Sequence, residues 1–331
     1  MHSAAVKPAP SVKRVSGSDL HLVFLGCGSI ARRHARRVRS LGGVRCGFAS
    51  RDAERAGDFR RHLGGTSSYG DYESALLDEG VDAVAITTPT AQHLPLTLAA
   101  FGAGKHVIVE KPAFLRSADI DRVEAAAAEN GCRVLVAENY AYKPLTRVLR
   151  NVITSGEIGE VRYLAVNALK LQHPSGWRND ESLAGGGALF EGGIHWMHLM
   201  ASVGLTVESV HGFRPDGDGI ERSMLVVVQY EQGAVGTLHH AWDTASLFRG
   251  LRLSRIYGTH GSVTFESNGL FALVRTRGLR VVVPGLRDIA GYRAMFADFI
   301  GCLRENREPE MTLAHARRDL ELVEAAYQST P

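Results

Sequence analysis

Glu191 and His195 lie four residues apart in the segment 185–204, which reads GGGALFEGGIHWMHLMASVG. A helix running from Ala188 places both on one face, one turn apart. A carboxylate held against an imidazole orients the ring and favours its charged form, and histidine titrates near neutral pH. Such a pair handles protons, which oxidation of an alcohol or reduction of a carbonyl requires. Gly192 and Gly193 each cost a helix about 1 kcal/mol relative to alanine, so a ligand or another backbone is expected close by. On this stretch alone, a buried helix with an internally satisfied Glu–His bond is an equal reading. The third chemical group is Lys111, in the run Glu110-Lys111-Pro112 directly after an apolar stretch. Pro112 restricts the lysine backbone to extended conformations, and the Lys111–Pro112 bond is open to either isomer.

The elements that must position these groups begin at Leu20. Leu20 to Leu25 is an apolar strand running into Gly26-Cys27-Gly28-Ser29-Ile30-Ala31 and then an arginine-rich helix. This is G-x-G-x-x-A at a strand-to-helix junction. Gly26 allows the tight turn, Gly28 admits a pyrophosphate to the backbone, and Ala31 lets helix and strand pack. The anion then sits at the helix N-terminus, near Ser29 and Ile30. A second strand, Val44 to Ala49, ends in Ser50-Arg51-Asp52, where such folds contact the adenosine ribose. A hydroxyl followed by a guanidinium suits a 2′-phosphate, so NADP is favoured over NAD; Asp52 is the competing ribose ligand. Further strands at Val81 to Ile86, Lys105 to Val109 and Cys132 to Ala137 alternate with helices. That pattern predicts a parallel sheet with ligands at its carboxyl ends, near Thr87, Thr88, Pro89, His93, Glu110 and Lys111. The arginines 32, 33, 36, 37 and 39 read as a solvated helix face rather than a nucleic-acid site.

A helix to Thr154 ends in Ser155-Gly156, and beyond the turn at Glu157 to Glu160 the pattern changes. Strands are expected at Val161 to Leu171, Val207 to Phe213, Met224 to Tyr230, Ala234 to Ala241, Leu251 to Tyr257, Ser262 to Glu266, Phe271 to Arg275 and Leu279 to Val283. Few helices intervene, so this sheet is expected to be mainly antiparallel. Met224 to Val228 does not alternate, which predicts cover on both faces, one of them from a second subunit. Ile289 to Asn306 and Leu313 to Gln328 read as closing helices. The fold class is therefore α/β: a Rossmann dinucleotide-binding domain over 20–139, then an α+β domain over 140–331 for substrate binding and oligomerisation. Residues 1–19 are expected to form a flexible tail.

The chain has 331 residues, 45% hydrophobic and 22% charged, with a net charge of +3. That composition is of an ordinary globular protein. No apolar run approaches the ~18 residues of a membrane span, and the first residues lack the apolar middle of a secretory signal. Four scattered cysteines fit reduced thiols in a cytoplasm. His173, His195, His198, His239 and His240 with Glu191 show no strong ligand spacing, so no metal is expected.

The runs GCGSIA at 26–31, GKHVIVEKP at 104–112, SGEIGEV at 155–161, GWR at 176–178 and GGGALFEGGIH at 185–195 together resemble the Gfo/Idh/MocA family of NAD(P)-dependent sugar oxidoreductases. The similarity spans about residues 20 to 328. It implies that Lys111 is the active-site lysine and His195 the catalytic histidine. Family members usually carry aspartate where this chain has Glu191, and often another where it has His198. Many also carry an arginine near Ala141, whose absence suggests a pocket less suited to an acidic group. On this reading His195 is the general acid/base, Lys111 stabilises the alkoxide and Glu191 orients the ring. Tyr140, Lys143, His173, Trp177, Arg178 and His198 are candidates for gripping the hydroxyls of a sugar, sugar derivative or cyclitol. A homodimer or homotetramer through the second sheet is expected, with no nucleic-acid or membrane partner. The competing readings are a non-catalytic NAD(P)-sensing regulator on the same fold, and a redox-neutral glycosidase-like enzyme with retained cofactor.

Overall fold

A computed structural model describes residues 19–215, 217, 219–245 and 251–330. Apart from Asp19, the expected tail lies outside these residues. The first sheet comprises β1 (Leu20–Leu25), β2 (Val44–Ala49), β3 (Ser67–Tyr69), β4 (Ala83–Ile86), β5 (His106–Glu110) and β6 (Val134–Ala137). Its order is β3-β2-β1-β4-β5-β6, all parallel. Each residue of β1 is buried, as a central parallel strand requires. Burying one such Leu, Val or Phe side chain is worth about 1.5–3 kcal/mol. Chain order reverses between β1 and β4, and ligands bind such sheets at that switch point. The short β3 went unrecognised in the sequence because Ser67–Tyr69 has no apolar run.

Helix Ser29–Arg39 turns Ala31, Ala35 and Val38 inward and leaves its arginines exposed, as expected of a solvated face. Helix Tyr292–Glu305 packs back on Ser29–Arg39, so a segment from far down the chain completes the first sheet's cover.

The second sheet comprises β7 (Val161–Leu169), β8 (Val207–Phe213), β9 (Ser223–Tyr230), β10 (Val235–Ala241), β11 (Leu253–Gly258), β12 (Ser262–Glu266), β13 (Ala272–Arg275) and β14 (Leu279–Val282). The order is β14-β13-β12-β11-β7-β10-β9-β8. It is antiparallel except between β7 and β10, which run parallel. Helix Leu313–Gln328, opened by a Thr312/His315 capping box, packs on β8 and on helix Ile194–Met200. In β9 Met224, Val226, Val228 and Tyr230 are buried while Leu225 and Val227 are half-buried, so this chain covers one of the two faces.

Candidate active site

A cleft of about 810 Å³ opens between the carboxyl ends of the first sheet and one face of the second. Gly28, Lys111, Tyr140, Glu191 and His195 all line it. The two chemical groups that lie far apart in sequence, Lys111 and His195, are thus brought to one space.

The helix carrying His195 does not begin as the spacing predicted. Leu189–Gly193 forms a π-helical turn, and the α-helix starts only at Ile194. The sequence permits this because Gly192 and Gly193 carry no side chains: a Cβ on Gly193 would come within 2.7 Å of Leu189 Cδ1. The wide turn swings Glu191 out of line with His195. Glu191 therefore does not orient the imidazole. Its carboxylate accepts from Arg178 Nε at 2.9 Å and lies 3.8 Å from Lys111 Nζ, which also donates to its backbone carbonyl at 2.5 Å. Burial alone would raise the Glu191 carboxyl, but Lys111 and Arg178 bring it down to about 2.

The group that orients the ring is Glu138. His195 Nδ1 lies 2.7 and 2.8 Å from the two Glu138 oxygens. Burial would raise this carboxyl too, yet His195, through charge and hydrogen bond, pulls it down to about 2. An ionised carboxylate only accepts, so Nδ1 carries the proton and donates, and Nε2 keeps its lone pair toward the cleft. Tyr140 stacks on the ring, centroids 4.7 Å apart and planes 12° from parallel. Glu138 immediately follows β6, the position that singled out Lys111 after β5, and that placement was its only sequence signal.

The glycine turn fits a dinucleotide. Gly26 has φ +104, and a Cβ there would sit 3.1 Å from Thr87 O. Gly28 instead faces open space, with nothing within 4 Å of its Cβ direction. Helix Ser29–Arg39 begins with no side-chain cap and no acid in its first turn, leaving N–H groups for an anion. Ser29, Ile30, Thr87 and Thr88 line the cleft beside it, and Ala31 packs behind. Pro89 leads into the turn Thr90–Gln92 rather than lining the cleft.

Several expected contacts play other parts. His93 borders the cleft but is buried, with Nδ1 2.9 Å from Pro112 O and Nε2 3.0 Å from Thr88 O, so it ties two strand-end loops together. The Lys111–Pro112 bond between them is cis. Glu110 is bonded to buried His34 and accepts from the Lys111 amide. Asp52 caps helix Ala53–Leu63 by accepting from Arg55 N, and Ser50 Oγ accepts from Asp52 N. Arg51 stands exposed at the same strand end.

Of the six residues expected to grip hydroxyls, Tyr140, Lys143, Trp177 and Arg178 line the cleft. His173 is exposed and does not. His198 is buried one turn beyond His195, its Nδ1 2.7 Å from Asp319, and belongs to a different hollow. Three residues past His195, its ring turns instead to Asp319 on helix Leu313–Gln328. Residues unrecognised in the sequence also line it, among them His240, Trp242, Arg252 and Tyr292. Burial pushes His240 down to about 3, so it is a neutral imidazole, and its Nδ1 is buried without a partner. Among the described residues no group of three metal-ligating side chains forms, and no helix is long and apolar enough to cross a membrane.

A switch-point cleft with a glycine turn on one side and an oriented histidine on the other defines a dinucleotide-dependent oxidoreductase. Residues 20–138 match the oxidoreductase family NAD-binding Rossmann fold model, and residues 146–264 match the GFO/IDH/MocA C-terminal domain. The chain belongs to the Gfo/Idh/MocA oxidoreductase family. The 1,5-anhydro-D-fructose reductase of Ensifer adhaerens is 29% identical over 250 residues, covering 72% of this chain and 74% of that protein. A levoglucosan dehydrogenase structure with NADH and levoglucosan superposes with a TM-score of 0.82 at 21% identity, covering 94% of this chain and 97% of that one. KijD10, a 3-ketoreductase from Actinomadura kijaniata in complex with NADP and TDP-benzene, gives 0.83 at 21%, covering 94% and 98%. Neighbours of this fold thus carry NADH or NADP.

Proposed function

We propose that this enzyme moves hydride between NADP and a carbinol or ketone carbon of a sugar, sugar derivative or cyclitol, with His195 as general acid/base. The observation that carries this is the Glu138–His195 bond, which leaves Nε2 bare in the cleft that also holds Lys111 and the glycine turn. The nicotinamide, when bound, supplies the hydride acceptor or donor.

In oxidation, Nε2 of His195 takes the hydroxyl proton, and Glu138 holds the resulting imidazolium. The Lys111 ammonium stabilises charge on the substrate oxygen, and Glu191 with Arg178 fixes where it points. In reduction the same nitrogen returns the proton. Tyr140 and Trp177 offer aromatic surface, and neutral His240 offers a hydrogen-bonding partner to a hydroxyl. The reductase and dehydrogenase relatives named above act on sugar-like substrates according to their names, which supports that class.

NADP is favoured because Ser50 and Arg51 stand at the end of β2, where a 2′-phosphate would meet a guanidinium, while Asp52 is committed to its helix cap. Residues 20–139 would hold the cofactor and 140–331 the substrate, with helix Tyr292–Glu305 bridging them. We place the enzyme in the cytoplasm, since its four cysteines are buried free thiols. Assembly as a homodimer or homotetramer would cover the outer face of the second sheet, where Tyr163, Tyr257, Leu279 and Val281 are exposed.

The test is a panel of sugars and cyclitols with NADP or NAD in both directions, read by nicotinamide absorbance. Reversible turnover, with NADP raising the melting temperature more than NAD, supports the proposal. An absence of any absorbance change across the panel counts against it.

A further inference from the structure

Lys143 is 4% exposed, yet it lines the cleft, and among the described residues its ammonium has no hydrogen-bond acceptor. It rests 4.0 Å from the Tyr140 ring centroid and 5.9 Å from that of Trp196. Arg252 reaches the same indole from β11's approach, its Cζ 5.3 Å from the centroid, and its buried Nε has no partner. Two cations therefore share one aromatic wall beside His195.

The nearby carboxylates are committed elsewhere. Glu138 holds His195, Glu191 holds Lys111 and Arg178, and Glu110 holds His34. Fully buried Glu266 accepts from Asn268 N at 3.0 Å, Asn268 Nδ2 at 2.8 Å and Leu270 N at 3.3 Å. It attracts Lys143 at a distance without a hydrogen bond. Arg252 donates from Nη2 to Asn268 Oδ1 but its Nε is unmatched, and the Lys143 ammonium faces the cleft without an acceptor, so an anion in the cleft would fill donors that both cations leave open. A neutral hydroxyl would accept a hydrogen bond but add no countercharge to the two cations, for which Glu266 supplies a single negative charge.

We infer that Lys143 and Arg252 form a seat for an anionic substituent, a carboxylate or phosphate, on the substrate. This rests on the hydride-transfer reading for the substrate's identity as a sugar or polyol. It reverses the expectation drawn from Ala141, because the cations come from one residue past the strand-end turn and from the residue just before β11 of the second sheet. A carboxylate would suit the planar guanidinium of Arg252, and a phosphate would engage both cations.

The test is calorimetric binding to enzyme saturated with NADP, comparing D-glucose, D-glucuronate and D-glucose 6-phosphate. At least a tenfold tighter dissociation constant for one charged sugar over glucose is expected, and which one leads separates carboxylate from phosphate. Lys143→Met should collapse that ratio toward one, and Lys143→Arg should restore most of it. Melting curves with NADP identify any variant that fails to fold, and Arg252→Met then serves as the second charge removal. Charged sugars that bind no better than glucose, including a lack of binding by all three, would overturn the inference. So would a ratio unchanged in both Lys143→Met and Arg252→Met. Because the readout is binding, failure of hydride transfer would appear separately, as charged-sugar binding without any nicotinamide absorbance change.

Discussion

Glu138 and His195 stand 57 residues apart in sequence and meet in the cleft, both carboxylate oxygens within 2.8 Å of Nδ1. One residue follows β6, an edge strand of the parallel sheet, and the other lies on helix Ile194–Met200 in the second half of the chain. The bond therefore joins the two halves at the point of chemistry.

Replacing Glu138 by Gln removes the charge that fixes the ring's tautomer and holds the imidazolium. Turnover should fall about 10²–10⁴-fold while dinucleotide affinity holds, by analogy with other oriented histidines. Glu138→Asp should recover part of the loss. Steady-state kinetics with a dinucleotide titration decides between this and a simple folding defect.

The same carboxyl predicts an acid-stability window. Its folded pKa, about 2, lies below the ordinary 4.5, so its stabilisation is present above about 4.5 and is lost as pH falls toward 2. Melting temperatures of the wild type should drop through that range, and Glu138→Gln should show a shallower drop. Parallel curves would mean that Glu138 is not the residue responsible.

Gly26 and Gly28 should separate folding from cofactor binding. Alanine at 26 meets a positive φ and a carbonyl 3.1 Å away, so it should cost stability by about 1 kcal/mol or more. Alanine at 28 meets open space, so melting of the apo-protein should be unchanged while dinucleotide affinity falls at least tenfold. A full-strength dinucleotide complex in Gly28→Ala would place the pyrophosphate elsewhere.

Lys143 gives the anion seat its own pH dependence. Burial lowers the ammonium from the ordinary 10.5 to about 8, with Glu266 and Glu138 opposing and Arg252 assisting. It is charged below that value and neutral above it. Affinity for a charged sugar should thus hold through neutrality and weaken as pH rises past 8, whereas glucose affinity should not follow that curve. Calorimetry across this range reads the difference.

Much of this architecture is legible in the chain because burial on both faces writes itself as continuous apolar runs. β1, β2 and β12 fall at the expected residues, and helix Leu313–Gln328 does too. Lys111 is legible for the same reason, since a strand end in a parallel sheet is where ligands lie. Glu191 was assigned to the wrong partner because four-residue spacing means one face only in an α-helix, and Gly192-Gly193 permits a π turn. Glu138 needed the docking of helix Ile194–Met200 against the turn Asn139–Tyr142 that follows β6, and Arg252 needed the strand order of the second sheet. Neither leaves a local periodicity to read.

Single-turnover hydride transfer in His195→Asn, with dinucleotide and substrate both saturating, tests the central claim most directly. The amide keeps a similar shape but cannot take a proton, so the rate should fall about 10²–10⁴-fold with dinucleotide affinity unchanged. A rate equal to that of the wild type would contradict the assignment of His195 as the acid/base.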